Sequence, residues 1–225
     1  MYSRTYIEDE SMLLYDRDRS QTTVIQDLQG DNNGNIQGGV TYDLLSTGRY
    51  VYTLNGSTGY ISTTTQYTDP DTFSLLAWFK TTDTSAPIIG MENTQTGENS
   101  PAHDRRLMIT SNGNVGFDIF NAGFFSLVST NAYNDGLWHL VVATYDKNTQ
   151  EMKLYIDGNI ESKTLSFVSN AEDYSGYWRI GAWRTWEPNS GDYYTGQIGM
   201  VGVYSTAITE QQTLAFYNDT IQEYA

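Results

Sequence analysis

The stretch DGLWHLVVATYDKNTQEMKLYIDG, Asp135 to Gly158, carries the strongest structural signal in the chain. It predicts an apolar strand over Trp138–Tyr145, a polar turn over Asp146–Thr149 and a return strand over Met152–Ile156. Apolar and polar residues alternate along the return strand, which is the period of a strand with one buried face. Asp157-Gly158 then predicts a tight two-residue turn. The stretch therefore indicates antiparallel β-structure.

The same alternation of short strands and turns continues outward from this hairpin. Turn-forming residues recur roughly every ten residues, a spacing typical of β-sandwiches. Asp27–Gly39 is interpreted as a turn-rich stretch, because its glycines exclude a helix. Further strands are predicted at Met12–Tyr15, Tyr50–Leu54, Gly59–Thr63, Phe73–Lys80, Pro87–Gly90, Arg106–Thr110, Val115–Phe120 and Phe124–Val128.

One short helix is predicted near the C-terminus. Thr209 followed by Gln212 has the spacing of a capping box, and the apolar residues after it extend the pattern to about residue 217. We find no linker and no repeat, so the chain is interpreted as one domain over residues 12–225. An N-terminal arm, residues 1–11, precedes that domain.

The quoted stretch resembles the laminin-G-like (concanavalin A-like) domain family. Those domains carry a D-G-x-W-H turn, an apolar strand ending in T-Y-D and a strand closing in L-Y-x-D-G, which are similar to Asp135–Asp146 and Lys153–Gly158 here. The resemblance covers roughly residues 12–217. It implies an all-β fold, a two-sheet antiparallel jelly-roll sandwich with one short C-terminal helix. Further matching pieces are Leu54–Ser57, Phe73–Lys80, Arg179–Gly181, Tyr194–Ile198, Val203–Tyr204 and Ile208–Glu210.

Composition limits the partners and the chemistry. The chain has 27 acidic against 12 basic residues and a net charge of −15, which repels nucleic acid and anionic membranes. It has no cysteine, which excludes disulfides and cysteine-based zinc sites. The first ten residues have no apolar run, so we expect no signal peptide, and no stretch is long and apolar enough to predict a membrane span.

No catalytic centre is predicted. Glycosidases of this fold place paired carboxylates along one strand, whereas Glu8–Glu10 and Glu172-Asp173 lie in terminal or turn-like sequence. His103 is assigned to a loop and His139 to a packing role, so neither predicts a triad or a metal site. We therefore expect no enzyme activity and no cofactor.

Calcium is the one metal ion that the resemblance leaves open, because several relatives bind it on the sandwich rim. At three positions where the family often has acidic residues, this chain has Gly59, Gly199 and Met200. These differences weaken the implied calcium binding. The oxygen-rich stretch Asp27–Asn33 is interpreted as turn-forming, since Asn and Asp favour turns.

An aromatic-rich segment, Tyr177–Tyr194, predicts a carbohydrate-binding site. By resemblance, Arg184–Asp192 is a variable loop on the rim of the sandwich. Flat aromatic rings beside polar side chains are suited to sugar rings and their hydroxyl groups. Trp178 is assigned to the core, while Trp183 and Trp186 are left open between core and surface. The candidate site residues are Trp183, Trp186, Asp192 and Tyr193.

Three functions are compatible with this fold, which hosts unrelated activities. The preferred hypothesis is a virion-surface display or decoration protein of a phage capsid or tail, which binds glycans as a further option and forms a homo-oligomer. The first alternative is an extracellular carbohydrate-binding or adhesion module of a secreted bacterial protein, and the second is a glycoside hydrolase. In the virion hypothesis the arm anchors the domain to a larger assembly through Tyr2, Arg4, Tyr6 and Ile7.

Overall fold

The computed structural model describes residues 11–16, 23–30, 32–97, 100–163, 170–183 and 193–225. Two antiparallel β-sheets pack face to face over these residues, as the family resemblance implies. None of the helical segments in the described ranges has the length and apolar character that crossing a bilayer requires.

One sheet has eight strands in the order β15-β14-β13-β8-β17-β5-β4, with β1 paired to β17. Its central strands are buried along most of their length, because both faces of this sheet are covered there. The strands are β1 (Ser11–Tyr15), β4 (Val40–Leu44), β5 (Tyr50–Asn55), β8 (Phe73–Lys80), β13 (His139–Asp146), β14 (Glu151–Ile156), β15 (Asn159–Lys163) and β17 (Thr195–Tyr204).

The second sheet has nine strands in the order β12-β11-β10-β9-β16-β6-β3-β2, with β7 paired to β16. The order places β16 between β9 and β6, which are far from it in sequence. The strands are β2 (Val24–Ile25), β3 (Gly34–Gln37), β6 (Tyr60–Thr63), β7 (Tyr67–Thr68), β9 (Ala86–Glu92), β10 (His103–Ile109), β11 (Asn114–Phe120), β12 (Phe124–Ala132) and β16 (Ser175–Ile180).

The hairpin predicted from Asp135–Gly158 is confirmed. β13 and β14 pair in continuous register from Val141 opposite Ile156 to Asp146 opposite Glu151. The next turn has positive φ at both Asp157 and Gly158, 51° and 82°, which is the backbone of a type I′ hairpin turn.

A C-terminal segment covers the outer side of the eight-stranded sheet. Helix α1 (Glu210–Thr220) is capped by Thr209, whose side chain accepts a hydrogen bond from the Gln212 N–H while the Gln212 side chain accepts one from Thr209 N–H. A 3-10 turn (Ile221–Glu223) follows α1. The predicted helix is thus confirmed.

Beneath this segment lies Trp78. It stacks on Tyr224 at 4.4 Å and on Tyr217 at 5.8 Å between ring centroids, and its Nε1 donates to Thr220 Oγ1 at 3.1 Å. The same cover buries Tyr155 to 2% exposure, so β14 is buried on both faces rather than the one face that its alternation predicted.

Arg49 connects the two described ends of the chain. Its guanidinium forms ion pairs with Asp16 and Glu223 and lies 4.4 Å from the centre of the Tyr224 ring. Arg49 and Asp16 are 5% and 2% exposed. We call this arrangement the Arg49 clip; it fastens β1 and the C-terminal turn to the eight-stranded sheet.

The structure corrects the turn assigned to Asp27–Gly39 and does not describe the proposed N-terminal arm. Gly34–Gln37 is strand β3 rather than turn, because it pairs with β6 despite its surrounding glycines. The arm residues Tyr2, Arg4, Tyr6 and Ile7 lie outside the described residues.

Candidate functional site

The candidate site lies on the side of the nine-stranded sheet that is turned away from the core. Alternate residues of β10 and β11, such as Leu107 and Phe117, belong to the core, so their neighbours Arg106 and Asp118 face the opposite side. We call this side the outer face. It is positioned by the pairing of β12, β11, β10, β9, β16 and β6.

Arg106 is at the centre of this face. Its Nη2 donates to Asp118 Oδ2 at 2.9 Å, and its Cζ lies 4.7 Å from the Phe124 ring centre and 5.5 Å from that of Trp183. Within the described part of the chain Asp118 is its hydrogen-bond partner, and its Nε is buried without one. The guanidinium is therefore held between two aromatic rings beside one carboxylate.

Gly90 makes room for this packing. A Cβ atom there would lie 3.4 Å from Arg106 Cγ and 3.6 Å from Trp183 Cε3. A larger side chain on β9 would push both groups away, so the glycine lets them lie close to the sheet.

A second aromatic group lies on the β6 side of the outer face. The ring centroids of Tyr60 and Tyr193 are 6.3 Å apart, and Arg179 Cζ lies 5.5 Å from the centre of the Tyr60 ring. Arg179 donates to the carbonyl oxygens of Thr94 and Gly97 at 2.8–3.1 Å. Arg179 therefore holds the 94–97 loop against the aromatic pair.

The structure brings two of the four predicted site residues together on this face. Ala182 and Tyr193 form an antiparallel bridge, so the chain leaves the face at Trp183 and returns at Tyr193. Tyr193 is half-buried, whereas Trp183 is only 7% exposed and supports the face instead of offering an open ring. Trp186 and Asp192 lie outside the described residues. The core assignment of Trp178 is confirmed by its 0% exposure.

Sequence reasoning missed the most polar part of this face, Arg106 and Asp118. A signal was available, because Gly116, Asp118 and Phe120 share one parity of a strand whose other parity is wholly apolar. The pairing of Arg106 with Asp118 across the β10–β11 hairpin then follows from its short turn.

A cavity of about 330 Å³ opens at the β12 end of this face, lined by Pro101, His103, Phe120, Phe124 and Glu172. Phe120 and Phe124 meet edge to face with centroids 5.0 Å apart. His103 begins strand β10 and is 8% exposed, which corrects its assignment to a loop.

The other candidate polar groups have structural partners. The Asp27 carboxylate accepts hydrogen bonds from the Leu14, Gln29 and Asn32 N–H groups, which supports its turn-forming interpretation. Residue 31 lies outside the described ranges.

Asp69, Asp71 and Asp173 form an acidic cluster with oxygens within 4.8 Å of one another. Burial and the neighbouring carboxylates of Asp71 and Asp173 raise the pKa of Asp69 despite Arg105. Arg105 pairs with Asp69 at 3.0 Å and Lys147 pairs with Asp71, so cations of the chain already neutralise part of this cluster.

His139 joins two turns rather than serving in packing alone. Its ring nitrogens lie 2.8 Å from Asp157 Oδ2 and 3.1 Å from Asp135 Oδ1. Burial lowers the pKa of His139, but the hydrogen bonds and charges of Asp157 and Asp135 outweigh burial and raise it above its ordinary value of 6.5.

The family is established by comparison. The model of the concanavalin A-like lectin/glucanases superfamily matches residues 55–213, which is most of the chain. This chain therefore belongs to the concanavalin A-like lectin/glucanase superfamily. A search of curated proteins gives no significant match.

Solved structures show the same fold at low identity. Domain 4 of AbnA, an extracellular arabinanase from Geobacillus stearothermophilus solved with arabinotriose, has 17% identity and a TM-score of 0.69, over 92% of this chain and 98% of that one. The binding domain of Paraclostridial Mosquitocidal Protein 1 has 12% identity and a TM-score of 0.69, over 94% of this chain and 52% of that one.

A third structure belongs to botulinum neurotoxin type C, whose cell entry depends on interaction with two ganglioside molecules. It has 15% identity and a TM-score of 0.65, over 96% of this chain and 52% of that one. The chain thus spans about half the length of the toxin binding domains that it matches.

Proposed function

We propose that this domain binds carbohydrate, without catalysis, on the outer face of the nine-stranded sheet. The observation that carries the proposal is the placement of Arg106 and Asp118 beside Phe124 and Trp183, on a face that also carries Tyr193 and that no described helix covers. Sugar rings present apolar C–H faces to aromatic rings, and their hydroxyl groups both donate and accept hydrogen bonds. An arginine–carboxylate pair offers both donors and acceptors to such hydroxyls.

The matched structures support binding more than catalysis. They include the binding domain of a toxin and a domain of an arabinanase in complex with arabinotriose. In this chain Asp118 is engaged by Arg106, and Glu172-Asp173 lies in the loop before β16, as its turn-like sequence predicted.

A glycan array followed by calorimetry on the strongest hit tests the proposal. Tyr193→Ala should weaken binding by about 1–3 kcal/mol if the ring acts as an interface anchor, and Arg106→Met should weaken it as well. Trp186→Ala is expected to do the same, as the sequence predicts. Tyr50→Ala, a half-buried tyrosine in the other sheet, is the matched control and should leave binding unchanged. Unchanged binding in both Tyr193→Ala and Arg106→Met would place the ligand elsewhere.

Display on a virion remains a proposal drawn from the sequence. In that proposal residues 1–11 anchor the domain to a capsid or tail, and homo-oligomers compensate for a weak single anchor through avidity. Deleting residues 1–10 and measuring incorporation into particles tests it. Full incorporation would exclude the arm as anchor, and absence of the intact protein from purified particles would exclude the virion location.

A further inference from the structure

The cavity at the β12 end of the outer face has the composition of a subsite with its own selectivity. Phe124, on its wall, is 51% exposed, so its ring keeps surface that a ligand in the cavity can contact. Arg106 lies 4.7 Å from this ring, so the cavity is continuous with the site of the proposed carbohydrate binding. Its volume of about 330 Å³ lies at the small end of ligand sites, which suits one sugar residue.

Glu172 supplies an acceptor that the protein itself does not use. Its backbone is fixed, because its N–H donates to the Phe120 carbonyl at 2.9 Å and its own carbonyl accepts from Arg105 Nη2 at 3.1 Å. Among the described residues its carboxylate has neither a hydrogen bond nor an ion pair. A group that donates hydrogen bonds is therefore the expected partner for this carboxylate.

The charges around the cavity favour a cation. The positive charge of Arg106 is balanced by Asp118, and that of Arg105, which donates to the Glu172 carbonyl, is balanced by Asp104 and Asp69. Aromatic ring faces such as those of Phe120 and Phe124 also attract cations. The net charge of −15 adds a long-range field that draws cations in and repels anionic sugars.

We propose that this cavity selects a hexosamine residue whose amino group is not acetylated and is protonated. The ammonium group lies between the Glu172 carboxylate and the Phe124 ring, and the apolar side of the sugar ring rests on Phe120 and Pro101. This inference rests on the proposed carbohydrate-binding function and specifies its ligand.

Three oligosaccharides with the same β-1,4 linkage test the inference, because they differ only at C2: tetramers of glucosamine, N-acetylglucosamine and glucose. Calorimetry in a mildly acidic buffer, where the amine is protonated, should show the glucosamine tetramer binding at least about tenfold more tightly than the other two. Raising the salt concentration should reduce that preference, since it depends on charge.

Glu172→Gln should reduce glucosamine binding to the level of the glucose tetramer and leave the glucose tetramer unaffected. Glu151→Gln, an exposed carboxylate on β14, changes the net charge equally and should keep the preference. Phe124→Leu removes the aromatic face while keeping an apolar wall, and serves as the second variant if Glu172→Gln does not fold.

Each result decides between the two proposals. Equal binding of all three tetramers, or an equal loss in Glu172→Gln and Glu151→Gln, overturns the selectivity but leaves carbohydrate binding standing if binding still depends on Tyr193. If none of the tetramers binds, the proposed selectivity is wrong. A hit on the glycan array whose binding depends on Tyr193 would still support the proposed carbohydrate binding. If no tetramer binds and the glycan array gives no Tyr193-dependent hit, both the selectivity and the proposed carbohydrate binding are wrong.

Discussion

The outer sides of the two sheets carry similar residues, but these residues are buried on one sheet and partly exposed on the other. On the eight-stranded sheet Trp78 is fully buried under Tyr217 and Tyr224, and Arg49 closes the arrangement. On the nine-stranded sheet Arg106 packs on Trp183 and Phe124, but Phe124 stays 51% exposed. Each side therefore combines an arginine with aromatic rings, and among the described residues only the eight-stranded sheet has a helical cover.

The difference shows how the C-terminal segment divides the roles of the two sheets. Aromatic rings under α1 and Tyr224 lose contact with water on folding and contribute to stability. Comparable rings on the uncovered side keep part of their surface in water and remain available to a ligand. Substitutions on the two sides should consequently differ in whether they alter unfolding or binding.

The largest effect is expected for Trp78→Ala. The variant loses two stacked rings and the hydrogen bond to Thr220, and it leaves a cavity under the cover. We expect the free energy of unfolding to fall by about 3–5 kcal/mol in urea denaturation. Tyr193→Ala on the uncovered face should cost less than about 1 kcal/mol. Equal losses would mean that the two faces do not divide stability and binding as described.

Arg49→Met and Arg106→Met form a matched pair. The first removes the Arg49 guanidinium from Asp16, which is 2% exposed, and we expect a loss of about 3 kcal/mol in the free energy of unfolding. The second leaves Asp118, whose side chain is 14% exposed, able to reach water, and we expect about 1 kcal/mol. A larger cost for Arg106→Met in the same denaturation experiment would contradict this order.

His139 should make stability depend on pH. Its pKa in the folded state is above 6.5, so its contribution is fully present below that value and is lost as the pH rises through the folded pKa. Burial raises the pKa of Asp135, but the Leu137 N–H and His139 outweigh burial and hold it below 3.8, so that contribution is lost as the pH falls through the folded value.

The ion pair between His139 and Asp135 is thus present between about pH 4 and 6.5. We expect His139→Gln to lower the free energy of unfolding by about 1–2 kcal/mol in this window and by less at higher pH. Denaturation curves across the pH range provide the measurement, and a difference independent of pH would show that the interaction is not ionic.

The smallest effect is expected for Val128→Thr on β12. Val128 is 49% exposed and threonine keeps its shape and its preference for strands, so unfolding should change by less than about 0.5 kcal/mol. A loss above about 1 kcal/mol in urea denaturation would indicate that this part of the outer face is covered in solution.

Strands such as β8, β11 and β13 were predictable from the sequence because their signals are local, whereas β3 was assigned to a turn. Asp157-Gly158 fixes a type I′ turn, and alternating residues fix the buried side of each neighbouring strand. The burial of Tyr155 was not predictable in the same way, since it depends on α1, which lies more than fifty residues later in the chain.

The candidate site was predictable only in part, for the same reason. Trp183 and Tyr193 belong to one aromatic-rich segment, but the burial of Trp183 involves packing against Arg106 from β10 and Gly90 from β9. The cavity likewise combines Pro101, Phe120 and Glu172 from separate parts of the chain. Pairing of β16 with β9 brings them together, and no local pattern encodes that pairing.

The Arg49 clip also determines where the described ends of the chain lie relative to the proposed binding face. Asp16 at the end of β1 and Glu223 in the C-terminal turn are held together on the covered side, one sandwich away from the outer face of the other sheet. A surface or another protein attached next to Glu223 would lie on the covered side of the eight-stranded sheet. The two sheets, about 10 Å apart, would separate it from the outer face of the nine-stranded sheet. The uncovered face would then point towards solution, and bulky or surface-bound glycans would reach it without meeting the attachment.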